Sequence, residues 1–367
     1  MNSLAFFSGG TALAGLAREF ALRREKPVWL ITTFDSGGST QALRRVFDMP
    51  AVGDIRNRLL ASVNPDRVSA AIVAFLRSRV PRQLAGDQAK AALFALVACD
   101  DWRACPEAAQ VGADLARFFA AMPPEFDAAC ASIGNLALAG AWLRFGRLDK
   151  AIACYEELLA VDGRLIPISE QSLHLAAELA NGEVVIGQHL LRDGLPVRRI
   201  FLTRSTPWAQ GESREGSALP TQAALAAIRS AALICFPIGS FYSSLLANLL
   251  PTGVGRAIAE SNARKVLIPN TGVDPERGNL PLGAQVDRLL AVLRADAPDA
   301  PLTSLLDTVL IDSANGIYPG NSAGAAGPPD WGLPVALNIL DRQLVRDGRH
   351  DPIILRSLLL DLACGRL

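Results

Sequence analysis

A short apolar run that ends in two glycines and passes directly into helical spacing is the feature that most restricts this chain. Leu4-Ala5-Phe6-Phe7-Ser8 stops at Gly9-Gly10-Thr11 and gives way to Ala12-Leu13-Ala14-Gly15-Leu16-Ala17, whose apolar residues recur at helical intervals. A second run, Val28-Trp29-Leu30-Ile31-Thr32-Thr33-Phe34, stops at Asp35-Ser36-Gly37-Gly38-Ser39 before another helical segment. Strands separated by a helix pair through a crossover, so this order predicts an α/β fold with a mostly parallel sheet.

Between Ser62 and Leu159 the pattern changes. Val68–Val80, Gln88–Cys99, Ala108–Ala121, Ala128–Phe145 and Asp149–Leu159 all carry helical spacing, with Pro or Gly between them. Strand-like runs return at Leu165–Ile168, Val184–Ile186, Arg199–Leu202, Leu233–Phe236, Val266–Ile268 and Thr308–Ile311. The expectation is one α/β domain that begins in residues 1–61, is interrupted by a helical insertion over 62–160 and is completed by 161–367. Gly146 to Leu159 has the look of one tetratricopeptide helix, but it occurs once, and such repeats need stacked neighbours to bury their faces. It is read as an ordinary amphipathic helix, and the Gly-, Ala- and Pro-rich stretch from Pro319 to Pro334 as a surface loop.

Composition narrows the function classes. The 36 Lys and Arg residues balance 36 Asp and Glu, which argues against a polybasic nucleic-acid surface. Half of the 367 residues are apolar and 20% are charged, enough to build a substantial core and unlike a disordered chain. The longest apolar stretch, Ala223 to Leu250, is broken by Arg229, Pro237, Gly239 and Asn248, so no membrane span is predicted. Met1 to Phe7 lacks the basic region of a signal peptide, and a cytoplasmic protein without a membrane partner is expected. The six cysteines form no Cys-x-x-Cys pair and are expected to be reduced and buried. His174, His189 and His350 lie far apart, leaving little material for a multi-histidine metal site or a histidine-based triad.

Parallel sheets bind ligands beyond the C-terminal ends of their strands. Four turns of the right chemistry follow predicted strands: Ser8-Gly9-Gly10-Thr11, Asp35-Ser36-Gly37-Gly38-Ser39, Pro237-Ile238-Gly239-Ser240 and Pro269-Asn270-Thr271-Gly272. Glycine lets the backbone approach a phosphate, and Ser, Thr or Asn adds hydrogen bonds; as plain strand-to-helix connectors the same turns would be purely architectural. The first lacks the lysine of a Walker A loop and the spacing of a dinucleotide fingerprint. Val52-Gly53-Asp54-Ile55-Arg56-Asn57-Arg58 gathers an acid, two cations and an amide. It suits either a helix start with solvated arginines or, with Arg44 and Arg45, a phosphate site. Asp35 and Asp54 suit a Mg²⁺ ion, or the proton of an attacking hydroxyl, or simple capping. Tyr242 has a ring for a base, a sugar or the core, and Asn135 is a polar exception among apolar helical residues that needs a partner.

In this order, and with Ile166-Pro167-Ile168-Ser169-Glu170, Gly239-Ser240-Phe241-Tyr242-Ser243-Ser244, Asn248-Leu249-Leu250 and His350-Asp351-Pro352, the chain resembles the CofD-like superfamily. That group holds the 2-phospho-L-lactate transferases of deazaflavin cofactor synthesis and the YvcK-like gluconeogenesis factors that bind UDP-sugars; the likeness is nearer the YvcK-like branch. Ala12 stands where that branch has a glycine, Ser36 where it has a second acid, and Gln41-Ala42 where Gly-Arg is usual. The resemblance implies a Rossmann-like, three-layer α/β/α fold with a nucleotide or nucleotide-sugar ligand in the crevice. Gly9-Gly10-Thr11 and Gly239-Ser240 would hold its diphosphate, with Tyr242 and Asn135 near the base or sugar. It implies either phosphoryl-linked group transfer, with Asp35, Asp54 and Arg56 in the chemistry, or a non-catalytic UDP-sugar sensor. Ser8, Gly37, Gly38, Ser39, Arg44, Asn57 and Asn270 complete the expected ligand set. Homodimerisation is expected by family analogy.

Overall fold

A computed structural model of the chain describes residues 3–187, 191, 195–207, 215–272, 274–319 and 331–367. The first strand, β1 (Leu4–Ser8), leads into α1 (Ala14–Leu22), β2 (Val28–Ile31), α2 (Gly38–Val46) and α3 (Gly53–Ala61). Five helices follow: α4 (Ala70–Arg77), α5 (Gly86–Ala98), α6 (Ala108–Ala121), α7 (Ile133–Phe145) and α8 (Leu148–Leu158). The chain then returns to the sheet as β3 (Arg164–Pro167) and leaves it again for β4 (His174–Leu179), β5 (Val184–Ile186), β6 (Val197–Thr203) and β7 (Glu215–Gly216). Helix α9 (Gln222–Ser230) precedes β8 (Leu233–Phe236), which runs into a π-helical turn, Phe241–Leu245, and a 3₁₀ turn, Leu246–Leu249. Last come α10 (Val254–Glu260), β9 (Arg264–Leu267), α11 (Leu282–Asp296), α12 (Leu302–Leu305), β10 (Thr308–Ile311), β11 (Asn338–Asp341), the hairpin β12 (Val345–Arg346) and β13 (Arg349–His350), and α13 (Pro352–Ala363).

The central sheet has seven parallel strands in the order β11-β10-β9-β8-β1-β2-β3. The chain winds outward from β1 in one direction, then returns and winds outward from β8 in the other. This is the doubly wound Rossmann arrangement, with its switch point between β1 and β8. Strand β1 shows why the sheet is covered on both faces: Leu4 and Phe6 point into one core and Ala5 and Phe7 into the other, as the period of two requires. On the first face Phe6 and Trp29 stack 4.7 Å apart beneath α1, α13 and the helices α3 to α8. Ile72, Phe118, Leu136 and Ile152 of those helices belong to the same apolar cluster as the strands. Helix α8, the repeat-like segment, packs on α7 and β3.

The second face differs from the sequence expectation. Val184–Ile186 and Arg199–Leu202 are strands, but they belong to a separate four-stranded antiparallel sheet, β5-β4-β6-β7. It forms part of the layer shared with α9 to α12, and Leu175 and Leu202 join that core. The overlooked signal is Asn181-Gly182 between β4 and β5, a common hairpin pair, with Gly182 at φ +85°. All six cysteines are free, and only Cys235 is buried. Cys99 and Cys364 are exposed because each caps a helix C-terminus. Among the described residues no helix is long and apolar enough to cross a membrane. His189 and most of the Pro319–Pro334 stretch lie outside the described residues.

Candidate functional site

At the switch point the loops after β1 and β8 part, and a cleft of about 780 Å³ opens between them. Its walls are the turns after β1, β2 and β8, the first turns of α3, and Asn135 on α7. Glycine is what lets these elements meet. A Cβ on Gly9 would lie 2.3 Å from Ser244 Oγ, and one on Gly10 would lie 2.6 Å from Asn57 Cβ and 2.8 Å from Asp54 Cα. One on Gly53 would lie 2.6 Å from Thr40 Oγ1. At Gly10 a larger residue would push α3 away from the end of β1; at Gly9 it would meet Ser244, and at Gly53 it would meet Thr40 of α2.

Two carboxylates sit on the wall of this cleft. Asp35 Oδ1 accepts from the Gly37 amide at 2.8 Å; burial, then the Asp54 charge, pushes its pKa up to about 7 against the pull of that amide and of Arg44. Burial also raises the Asp54 pKa, against the Gly10 amide, Arg58 and Arg56. Two like charges so placed favour a bound cation or a shared proton. No cluster of three or more His, Cys, Asp or Glu side chains exists among the described residues. Two carboxylates alone would leave a hard divalent ion to take its remaining ligands from water and phosphate.

The cations differ in exposure: Arg58 is buried, Arg56 half-buried, and Arg79 and Arg45 are exposed. Arg56 donates from Nε to Asn135 Oδ1 at 3.2 Å, which supplies the partner that Asn135 needed. Burial and the neighbouring Arg79 lower the Arg56 pKa to about 10, still well above neutrality, and both arginines line the cleft. Arg58 is fully buried and lies 4.5 Å over the Trp29 ring. Its Nη2 donates to Ser8 Oγ and the Gly9 carbonyl, both at 2.8 Å. It is a strut under the first turn.

Of the residues singled out by sequence, Ser8, Gly9, Gly10, Thr11, Asp35, Gly37, Gly38 and Ser39 line the cleft, as do Asp54, Arg56, Asn57, Asn135, Gly239 and Ser240. Three do not. Arg44 is buried and donates to the Asp35 carbonyl at 2.8 Å and the Leu173 carbonyl at 2.7 Å, tying the β2 turn to the antiparallel sheet. Asn270 lies behind the β8 turn, with Oδ1 accepting from the Gly239 amide at 2.9 Å and Nδ2 donating to the Gly239 carbonyl at 2.6 Å. Tyr242 packs edge-on against Phe241 and lines a second cavity with Arg288, whereas Ser243 and Ser244, which follow it in the π turn, face the cleft. Ser36 is also turned away from the cleft. It is fully buried, with Oγ 2.7 Å from His174 Nδ1, and burial, with Arg44 adding, lowers the His174 pKa to about 3.

Sequence reasoning missed Thr40, Arg79, Ser243, Ser244 and Glu276, all of which line the cleft. Ser243 and Ser244 were within reach, since they follow a turn already singled out. Arg79 was not: it arrives through an isolated bridge between Arg79 and Ser132. Glu276 Oε2 accepts from the amides of Tyr242 at 3.1 Å and Ser243 at 2.9 Å, and Oε1 accepts from the Ser243 hydroxyl. Burial pushes its pKa up to about 7 against the Ser243 hydrogen bonds.

A family model described as 2-phospho-L-lactate transferase CofD matches residues 4–321. A gluconeogenesis factor of Halalkalibacterium halodurans is 29% identical over 270 residues, 73% of this chain and 66% of that protein. A gluconeogenesis factor of Bacillus subtilis is 26% identical over 375 residues, 98% of this chain and 97% of that one. Among solved structures, a upf0052 family member from Bacillus halodurans superimposes with a TM-score of 0.69 at 22% identity, covering 98% of this chain and 99% of its own. That likeness speaks to the fold.

Proposed function

The chain belongs to the CofD family, and from that premise we propose that its cleft binds a nucleotide diphosphate-linked ligand and moves a phosphoryl-linked group to a hydroxyl acceptor. The observation that carries this reading is the Asp35–Asp54 pair on the wall of a glycine-lined cleft at the switch point. The Gly9-Gly10-Thr11 and Gly37-Gly38-Ser39 turns hold the phosphates, and Arg56 with Arg79 offsets their charge. Asp35 and Asp54 would hold Mg²⁺, which neutralises phosphate charge when bound. Asp35, with one carboxylate oxygen engaged by Gly37, takes the proton of the attacking hydroxyl. A new oxygen–phosphorus bond forms as the bond to the departing nucleoside monophosphate breaks.

A second reading is a nucleotide-sugar sensor that binds the same ligand without chemistry. It is favoured by Ser36, buried against His174 where the resembling branch carries an acid, and by the gluconeogenesis factor names of the relatives. A thermal-shift screen over UDP, UDP-N-acetylglucosamine, GDP and the deazaflavin Fo, with and without Mg²⁺, tests both. A ligand at a hundred times its dissociation constant should stabilise the protein by about 2.7 kcal/mol. For a transferase, Asp35→Asn keeps the shift and lowers turnover by about 100- to 10,000-fold. A metal-independent shift by UDP-sugars with no turnover selects the sensor, and silence across the panel refutes both readings.

A further inference from the structure

The β8 turn looks like a phosphate cradle in sequence, yet the amide of Gly239 and those of Phe241, Tyr242 and Ser243 just after the turn are already taken. Asn270 Oδ1 receives the Gly239 amide, Asp274 Oδ2 receives the Phe241 amide at 2.9 Å, and Glu276 Oε2 receives those of Tyr242 and Ser243. Asp274 is itself fixed, with Oδ1 accepting from the Glu276 amide at 3.0 Å. A phosphate placed here would find these four amides occupied and two carboxylates beside it. A carboxylate has about four acceptor directions. Glu276 uses two on Oε2 and one on Oε1, the latter for the Ser243 hydroxyl. One direction on Oε1 is left, on a residue that lines the cleft.

Resting on the nucleotide reading above, we infer that Glu276 is the specificity-determining residue of the cleft, accepting one hydroxyl or N–H donor from the nucleoside part of the ligand. The ligand then lies in one direction only. Its phosphates meet the β1 turn, Arg56 and Arg79, and its donor-bearing end meets the β8 turn. The turns are close enough for one ligand to touch both, since a Cβ built on Gly239 would lie 3.7 Å from Ala12 Cβ.

Titration calorimetry with UDP and with inorganic pyrophosphate, on the wild-type protein and on Glu276→Gln, tests the assignment. The carboxamide that this substitution introduces cannot accept at both positions. UDP affinity should fall about tenfold or more, the usual loss for a hydrogen bond to a charged group, while pyrophosphate affinity stays within about twofold. Tighter pyrophosphate binding by the variant would overturn the assignment, because Glu276 would then merely occupy a phosphate position. Unchanged UDP affinity would overturn it too. Should the variant fail to fold, the wild-type protein still decides: either 2′,3′-dideoxy-UDP or N3-methyl-UDP must lose a similar factor against UDP, which also tells a hydroxyl donor from an N–H. Equal binding of all three refutes the assignment while leaving the nucleotide reading intact. Failure of the wild-type protein to bind UDP and, in the thermal-shift screen, GDP removes both.

Discussion

Gly9-Gly10-Thr11 and Gly239-Ser240 each follow a buried parallel strand, and the two meet across the switch point of the sheet. They are glycine-bearing for different reasons. At Gly10 the constraint is space, since α3 comes within 2.8 Å of where a Cβ would stand. At Gly239 a Cβ would make only ordinary van der Waals contacts, at 3.7 Å and beyond, and the constraint is the backbone, with φ +151°. Their electrostatics also differ. Both turns give an amide to a carboxylate, Gly10 to Asp54 and the residues after Gly239-Ser240 to Asp274 and Glu276, but only the first is also braced from behind by a guanidinium, that of Arg58. In the reading proposed above, similar local sequences serve one turn for the phosphates and one for a donor of the ligand.

The sharpest way to break this comparison is Gly10→Ala. Overpacking against α3 should cost about 3 kcal/mol of stability, and the nucleotide shift should vanish; a variant that still binds UDP would mean the turn does not touch the ligand. Next comes the pH profile of the second turn. Glu276 titrates near 7 in the fold against an ordinary 4.5, so its raised pKa adds stability in full below about pH 4.5 that is lost as pH rises through 7. The difference corresponds to at most about 3 kcal/mol. Urea unfolding of Glu276→Gln should therefore show a flatter fall in stability between pH 4.5 and 7; an unchanged slope would assign that fall to other groups.

A smaller effect is expected at the strut. Arg58→Lys loses the guanidinium's fit to Ser8 Oγ, the Gly9 carbonyl and the Trp29 face, and should cost about 2 kcal/mol. Calorimetric melting checks it, and equal stability would show that the ammonium replaces the fork. Smallest is Gly239→Ala. No atom lies closer than 3.7 Å to the added methyl, so only backbone strain of about 1 kcal/mol is expected. If Gly239→Ala proved as damaging as Gly10→Ala, the two turns would be alike in the property that separates them here.

Much of the architecture was legible because it is written locally. The apolar runs at Leu4–Phe7 and Val28–Ile31, each closed by a Gly-rich turn, are strand ends whatever surrounds them. The repeated strand-helix order carries the parallel sheet with it. Asp35, Asp54, Arg56 and Asn135 stood out as polar residues at strand ends or in apolar settings, and the fold brings all four to one cleft. The helices from Ala70 to Leu158 followed from their periodicity.

What sequence left undecided concerns which side a residue faces and which distant group it meets. Val184–Ile186 reads the same in a parallel or an antiparallel sheet, and only its pairing with β4 settles the matter. Arg44 and Arg56 are both arginines near glycine turns, yet one binds backbone carbonyls behind the sheet edge and the other enters the cleft. Tyr242 and Ser243 are neighbours that the π turn sends to different cavities. Glu276 lies 33 residues beyond Ser243 in the chain, and no local rule joins a carboxylate to amides so far away. Periodicity and turn chemistry act between near neighbours, so the sequence determined the elements and their order. Charge, burial and occupied hydrogen bonds depend on atoms that only the folded chain brings together, so the tertiary structure decided what each turn has left to offer a ligand.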